Sequence, residues 1–277
     1  MNIVTARPMR SWMLVLLASI FLHISTAISC DFSSEVKSVY SLSGPVTLIL
    51  KDLGLIKSKK LKGVSIFHPV AKKDFQGIFL PGGVFLSHET IKGLAGSVLF
   101  YDESRELNRI FSRYEGIRAV EIKTRSLTPM EVMKVMEKQL NPILVGCNLE
   151  KITHHLNMRL EELKKMARKD STFLFFLGLI QNNKYPELVM VQDGIVKWMI
   201  QEKLIKTYPS ELAYVNWSAR ILNNLPKDTY KVGLRDSGTS METELKKDNH
   251  TINLTYPGAL IPGSGQVEAM IYLFKNL

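Results

Sequence analysis

The sequence lacks the short motifs that mark most metalloenzymes, redox enzymes and hydrolases. It has only two cysteines, Cys30 and Cys147, and contains no Cys-x-x-Cys or His-Glu-x-x-His motif. It also has no glycine-rich phosphate loop, and Gly263-Ser264-Gly265 does not have the Gly-x-Ser-x-Gly spacing of a hydrolase elbow. The sequence therefore predicts a protein that is not an enzyme, with no catalytic residues, no resident metal and no cofactor.

The chain also lacks an apolar run of the roughly 20 residues that a membrane-spanning helix needs. Its longest such run, residues 12–24, follows two arginines and precedes a series of small residues. This order is typical of a secretory signal. We assign residues 1–29 to a signal peptide, with cleavage either after Ala27 or before Cys30, and expect a periplasmic or otherwise exported protein.

The two cysteines allow two interpretations. Ala27-Ile28-Ser29-Cys30 is similar to a bacterial lipoprotein signal, and we expect Cys30 to carry a lipid that anchors the chain to a membrane. Cys147 would then be a free, buried thiol. In the alternative, the exported chain pairs Cys30 with Cys147. Neither interpretation provides a network of disulfides, so the hydrophobic core must hold the fold.

The charges show no basic patch interleaved with aromatic residues, which argues against nucleic-acid binding. The formal net charge is +10, and +8 once the two arginines of residues 1–29 are removed. Such a balance suits an anionic ligand or an anionic membrane surface. The lysine runs at residues 57–60 and 246–247 are interpreted as solvated loops.

The longest helical pattern lies near the middle of the chain, from Leu149 to Lys169. Its apolar residues recur at steps of three and four and so form one stripe of a helix. Asn148 provides an N-cap, and basic residues crowd the last turns. This helix would be about 30 Å long, enough to cross a small domain.

On both sides of this helix, strand and helix patterns alternate, as expected for parallel sheets. The predicted strands are 36–42, 64–67, 77–79, 97–101, 119–122, 172–177, 230–234 and 251–256. The predicted helices are 46–53, 88–94, 107–114, 129–139, 194–203, 211–222 and 265–273. Residues 239–249 are polar and are predicted to form a loop. The fold class is α/β, with two Rossmann-like lobes of mostly parallel sheet joined by a single long helix.

The corresponding domain boundaries are a signal peptide at 1–29, an N-terminal lobe at 30–147, a linking helix at 148–170 and a C-terminal lobe at 171–277.

The order of these segments resembles the substrate-binding proteins of bacterial ABC importers for cobalamin, haem and ferric siderophores. In that family one long helix joins two α/β lobes. The segments that carry the resemblance are 36–55, 82–102, 116–136, the long helix with 171–178, and 252–274. The chain departs from the family at Gly263-Ser264-Gly265, where the family often has Gly-Pro-Arg.

The resemblance implies an exported, monomeric solute-binding subunit. It would capture a metal chelate, namely a ferric siderophore, haem or cobalamin, in a cleft between the lobes and deliver it to an ABC permease in the inner membrane. Two alternatives remain open: an envelope interaction protein of this fold that has lost transport, and, less favoured, an exported α/β hydrolase.

Ligands of two-lobed α/β proteins bind at the carboxyl ends of strands. The candidate ligand-binding residues at such positions are Ser43, His68, Tyr101, Arg105, Tyr185, Trp198, Arg235 and Tyr256. Aromatic rings offer flat faces to a macrocycle, and guanidinium groups bind carboxylates. The alternatives are core packing for Trp198 and an ion pair with Asp236 for Arg235.

Two glutamates match the positions at which the family docks on its permease. They are Glu89 and Glu211, each near a helix start, and the resemblance gives them this role. The alternative is that both are first-turn glutamates favoured by the helix dipole. The adjacent His154 and His155 point about 100° apart on a helix and are interpreted as a solvated face rather than a metal pair.

Overall fold

The computed structural model describes residues 30–81, 87–181, 194–207 and 225–277. The predicted signal peptide at 1–29 and the predicted helix at 211–222 lie outside these residues. The fold described below is built from the four ranges.

The first half of the chain forms a five-stranded parallel sheet and a small antiparallel pair. The strands are β1 (Asp31–Phe32), β2 (Val39–Leu42), β3 (Leu61–Ser65), β4 (Ile78–Leu80), β5 (Val98–Asp102), β6 (Arg118–Ile122) and β7 (Leu144–Val145). Their order in the sheet is β4-β3-β2-β5-β6, and every neighbouring pair is parallel. β1 pairs with β7 outside this sheet.

The second half forms another five-stranded sheet. Its strands are β8 (Thr172–Leu177), β9 (Lys206–Thr207), β10 (Tyr230–Asp236), β11 (Glu244–Asp248) and β12 (Thr251–Tyr256), in the order β11-β12-β10-β8-β9. All pairs are parallel except β11 with β12. The predicted α/β class with mostly parallel sheets is confirmed.

The strand β11 corrects the prediction of a loop at residues 239–249. Its side chains are exposed or half-buried throughout, so the strand shows none of the apolar alternation that marks a half-buried strand. What holds it is the antiparallel ladder with β12, closed by a turn in which Asn249 has a φ of 47°. An edge strand of this kind leaves little signal in its sequence.

The helices agree with the predicted pattern to within a few residues. They are α1 (Gly44–Asp52), α2 (His88–Lys92), α3 (Arg105–Phe111), α4 (Pro129–Leu140), α5 (Leu149–Met166), α6 (Gly194–Gln201) and α7 (Ser264–Lys275). Ser87 and Asn148 accept the expected N-cap hydrogen bonds, and Thr128 forms a capping box with Glu131. α5 is the predicted long helix and ends at Met166 rather than Lys169.

The apolar stripe of α5 packs against helices from both halves of the chain. Leu149, Leu156, Leu160 and Leu163 are buried, and the helix contacts α4 before it and α7 after it. The side chains of both sheets and of these helices belong to one continuous core. The stripe therefore joins the two sheets through packed side chains.

Polar contacts fix the same helix on both sides. The Thr153 hydroxyl donates a hydrogen bond of 2.7 Å to Glu137 on α4. Arg159 makes a two-pronged contact with Glu268 on α7, and Lys275 Nζ lies 2.9 Å from Glu162. Such a fork fixes both distance and angle between two helices.

A disulfide joins Cys30 to Cys147, next to the pair of strands β1 and β7. This corrects the expectation that Cys30 carries a lipid, because lipidation and the disulfide require the same sulfur atom. The alternative interpretation of the two cysteines is the one that the structure adopts. The bond attaches the beginning of the described chain to the residue before the N-cap of α5.

The domain boundaries at 30–147, 148–170 and 171–277 stay a prediction.

In the four described ranges, no helix combines the length and the apolar character needed to cross a membrane.

Removing the disulfide is expected to lower the free energy of unfolding by about 2 to 5 kcal/mol. The bond spans 117 residues, so its loss frees a long loop in the unfolded chain. Denaturant unfolding of Cys147→Ser should show this loss, and a reducing agent should lower the wild-type protein to a similar value. A wild-type unfolding curve that is unchanged by reduction would contradict the pairing.

Candidate functional site

The carboxyl ends of the two sheets face each other. A Cβ placed on Gly44, which follows β2, would lie 2.9 Å from Cγ2 of Ile261, which follows β12. A Cβ on Gly238, after β10, would lie 3.2 Å from the carbonyl oxygen of Ile66 and 3.6 Å from Cα of Phe67. The loops at these strand ends therefore meet, at the position predicted for ligand binding. We call the surface around this contact the cleft, with the loops of the first sheet as its first wall and those of the second sheet as its second wall.

Asp236 holds together two loops of the second wall. Its Oδ1 accepts hydrogen bonds from the backbone N–H groups of Gly238, at 2.8 Å, and Gly258, at 3.1 Å. Burial raises the pKa of this carboxyl, and the backbone hydrogen bonds offset part of the rise. Asp236 therefore positions the wall, and it forms no ion pair with Arg235.

Asp102 likewise accepts a backbone hydrogen bond in the first wall. It ends β5, and its Oδ2 accepts the N–H of Gly44 at 3.3 Å, at the beginning of α1. Burial among the neighbouring loops raises its pKa, whereas the nearby Ser43 hydroxyl and the Gly44 amide lower it. The residue as a whole is exposed. A carboxylate at the start of a helix is also favoured by the helix dipole.

A buried polar cluster connects the loop after β3 to the beginning of α1. The Thr47 hydroxyl lies 2.8 Å from Ser41 Oγ and 2.7 Å from Nδ1 of His68, and it donates to the carbonyl oxygen of Ser43 at 3.0 Å. Ser41, Ser43 and Thr47 are completely buried, and His68 is 6% exposed. These contacts fix the loop after β3 to the first turn of α1.

Burial lowers the pKa of His68 from 6.5 to about 4. The imidazole is therefore neutral at neutral pH, which is the form that can act as a ligand to a metal. Its Nδ1 is committed to Thr47, and no hydrogen bond to Nε2 is found among the described residues.

Three further predicted ligand-binding residues are buried, as His68 is. Ser43 is 0% exposed. Tyr101 is 4% exposed, donates to Asn108 and packs on Phe111. Trp198 is 8% exposed in the core, with Lys164 Nζ 5.7 Å from the centre of its ring. This burial agrees with core packing, the alternative given for Trp198.

The two predicted arginines are exposed at strand ends. Arg105 begins α3 directly after β5, and Arg235 lies near the carboxyl end of β10. Within the four described ranges neither side chain forms a hydrogen bond or an ion pair. Both guanidinium groups are thus available to a ligand, one on each wall.

The sequence analysis missed Phe67. This side chain is 59% exposed in the loop that follows β3, beside Gly238 of the opposite wall. The sequence predicts a strand at 64–67 that includes Phe67, but β3 ends at Ser65. The His68-Pro69 pair directly after it marks the end of the strand and is the signal that could have placed Phe67 in the loop.

Tyr256 lines a recess beside the linking helix. This recess has a volume of about 530 Å³ and lies between α1, α5 and α7, with Asp52, Arg159 and Glu268 in its wall. The tyrosine ring is half-buried and lies 5.4 Å from the ring of Tyr272. Its position at the end of β12 is as predicted, but its surroundings include the helix that joins the lobes.

Two predicted site residues, Tyr185 and Glu211, lie outside the described residues. Glu89 is exposed in the first turn of α2. Among the residues that the structure describes, no group of three or more His, Cys, Asp or Glu side chains is arranged to hold a metal ion.

Acidification is expected to destabilise the protein through His68. Because the folded-state pKa is about 4 and the unfolded value is 6.5, the unfolded chain binds the proton first and stability falls between those values. The loss should approach about 3 kcal/mol by about pH 4. Denaturant unfolding across this range should show a weaker dependence in His68→Asn, which keeps a polar group beside Thr47. An identical pH dependence in both proteins would refute the assignment.

Comparisons with known proteins give the fold. No family model matches the chain, and no curated protein is similar to it in sequence. Three solved structures are similar: the periplasmic heme-binding protein RhuT from Roseiflexus sp. RS-1, an ABC transporter substrate-binding protein from Listeria monocytogenes, and DesE, a ferric-siderophore receptor protein from Streptomyces coelicolor.

Their TM-scores are 0.57, 0.57 and 0.56, at sequence identities of 15%, 12% and 12%. The matches cover 87%, 87% and 88% of this chain, and 97%, 98% and 93% of the respective structures. At such identities the likeness concerns the fold. The chain has the two-lobed α/β fold of periplasmic substrate-binding proteins, as the sequence resemblance implied.

Proposed function

We propose that this chain is the exported solute-binding subunit of an ABC importer and that it captures a metal chelate between its lobes. The observation that carries the proposal is the pair of facing sheet edges joined by α5. Support comes from the solved structures of the same fold, among which are heme-binding and ferric-siderophore-binding proteins. Because these neighbours are binding proteins, they support a role that is not enzymatic.

The exposed groups of the cleft suit an anionic ligand with a large apolar face. Arg105 and Arg235 provide one unpaired guanidinium on each wall, and such groups bind carboxylates with two parallel hydrogen bonds. Phe67 provides a flat ring. Haem has both features, a flat porphyrin ring and two carboxylates. Carboxylate siderophores have the carboxylates only. We therefore place haem first and ferric siderophores second among the candidates.

A thermal-unfolding screen tests the ligand class. The exported form of the protein would be heated with haem, with cobalamin and with a panel of ferric siderophores. A ligand at a hundred times its dissociation constant should add about 2.7 kcal/mol to the free energy of unfolding. We expect haem or a carboxylate siderophore to raise the melting temperature. No shift with any of these chelates would contradict the proposed ligand class.

A matched pair of variants locates the site once a chelate binds. Arg235→Ala should weaken binding by about tenfold or more, because it removes a charge-assisted hydrogen bond. Arg109→Ala, on the same helix as Arg105 but one turn beyond the cleft, should bind as the wild type does. Equal affinities for all three proteins would show that the chelate binds elsewhere.

Delivery to a permease is the second part of the proposal. We assign docking to Glu89 and Glu211, one in each half of the chain, as the family resemblance implies. Charge reversal at both, Glu89→Lys with Glu211→Lys, should abolish uptake of the chelate by cells while leaving its binding to the purified protein unchanged. Normal uptake by this double variant would refute the docking role and favour an envelope protein without transport.

A further inference from the structure

An excess of lysine lies in one short segment of the first lobe. Residues 51–78 contain seven lysines and two aspartates, a net charge of +5 in a chain whose total is +10. Six of these lysines are exposed, and we call them the lysine face: Lys51, Lys57, Lys59, Lys62, Lys72 and Lys73. The seventh, Lys60, is half-buried.

The fold brings the two lysine runs of this segment together. A recess of about 430 Å³ has Lys57 in its wall together with Val70, Ala71 and Asp74, so Lys57 lies beside the helical turn Lys72–Asp74. A second recess places Lys57, Lys59 and Lys62 along Gln76 and Gly77. The lysines at 57–62 and at 72–73, which are separate in the sequence, are therefore neighbours in the fold.

The charge of the lysine face is not neutralised within the described part of the chain. Among the residues that the structure describes, no carboxylate lies within 4 Å of any of its six ammonium groups. Lys51 donates to the carbonyl oxygen of Pro69 instead. The nearby acids are Asp52, Asp74 and Asp31, and Asp31 accepts hydrogen bonds from the Phe32 amide and the Ser58 hydroxyl. An anionic partner is therefore favoured by charge.

The lysine face also lies beside the beginning of the described chain. In the sequence, this beginning follows the apolar segment of the predicted signal peptide. Lys60 Nζ donates to the carbonyl oxygens of Phe32, at 3.2 Å, and Ser33, at 2.8 Å. Ser58 Oγ lies 3.1 Å from Asp31 Oδ1. The described chain begins at Cys30, directly after the predicted signal peptide, so a membrane that holds or has just released that segment is close to the lysines.

We propose that the lysine face binds the anionic phospholipid surface of the membrane across which the chain is exported. Two features favour lipid over an acidic protein. One is the start of the described chain beside Ser58 and Lys60, since the predicted signal peptide precedes it in the sequence. The other is Ile78 at the edge of the sheet, which is 52% exposed and paired in register with Gly63 next to Lys62. Each lysine close to such a surface contributes about fivefold in affinity, and the attraction weakens with salt.

Vesicle sedimentation tests the proposal with the exported form of the protein, whose N-terminus is first determined by mass. The vesicles contain phosphatidylcholine either alone or mixed with phosphatidylglycerol. We expect binding to the mixed vesicles at low salt, loss of binding in about 1 M salt, and no binding to phosphatidylcholine alone. Lys57→Gln with Lys59→Gln and Lys62→Gln should weaken binding by about 100-fold.

The control variant removes three positive charges from another part of the surface. Lys134, Lys169 and Lys227 are exposed and distant in sequence from the lysine face, and their triple replacement by glutamine should change the affinity less than about fivefold. Both triple variants should melt as the wild type does. The proposal is overturned by equal weakening in the two variants, by binding to phosphatidylcholine alone, or by absence of binding to the anionic vesicles. The last result would point to an acidic protein partner.

Discussion

The buried leucine stripe of α5 is the constraint on which the rest of the structure depends. It packs between helices from the two halves of the chain, and the contacts of Thr153 with Glu137 and of Arg159 with Glu268 fix the helix on each side. Neither sheet can turn far without breaking this packing, because packed interiors are not continuously deformable. The relative position of the facing sheet edges therefore depends on this helix, together with the direct contacts of α1 with α7 and of α4 with α6.

The polar residues around the cleft are of two kinds: those that hydrogen-bond within the protein and those that are exposed to a ligand. Asp102 and Asp236 end central strands, yet their carboxylates accept backbone N–H groups and so shape the walls. The hydroxyl of Thr47 and the imidazole of His68 satisfy each other in a buried cluster. Two arginines without a partner among the described residues are the groups that we propose for recognition. In this proposal the acidic side chains have structural roles and the basic ones bind the ligand, which favours an anionic solute.

The sequence was a good guide to elements with strong local patterns and a poor guide to contacts between distant residues. The continuous apolar run of β8 and the stripe of α5 are encoded locally and were predicted well. Packing between segments far apart in the chain decides whether Tyr101 is buried. It also decides whether Cys30 meets Cys147. The polar strand β11 had no apolar face to reveal it. Position at a strand end was therefore insufficient to identify ligand-binding residues.

The direction of the strands separates the two proposed binding surfaces. The cleft lies at the carboxyl ends of the parallel strands, after Ser65 of β3 and Asp236 of β10. Lys59 and Lys62 lie instead at the amino end of β3, and Gly77 directly precedes β4. Because all strands of the first sheet run in parallel, these two edges are opposite ends of the lobe. A membrane bound at Lys57, Lys59 and Lys62 would therefore leave the cleft open to its solute, whereas Lys51, which donates to Pro69 after β3, lies on the cleft side of the lobe.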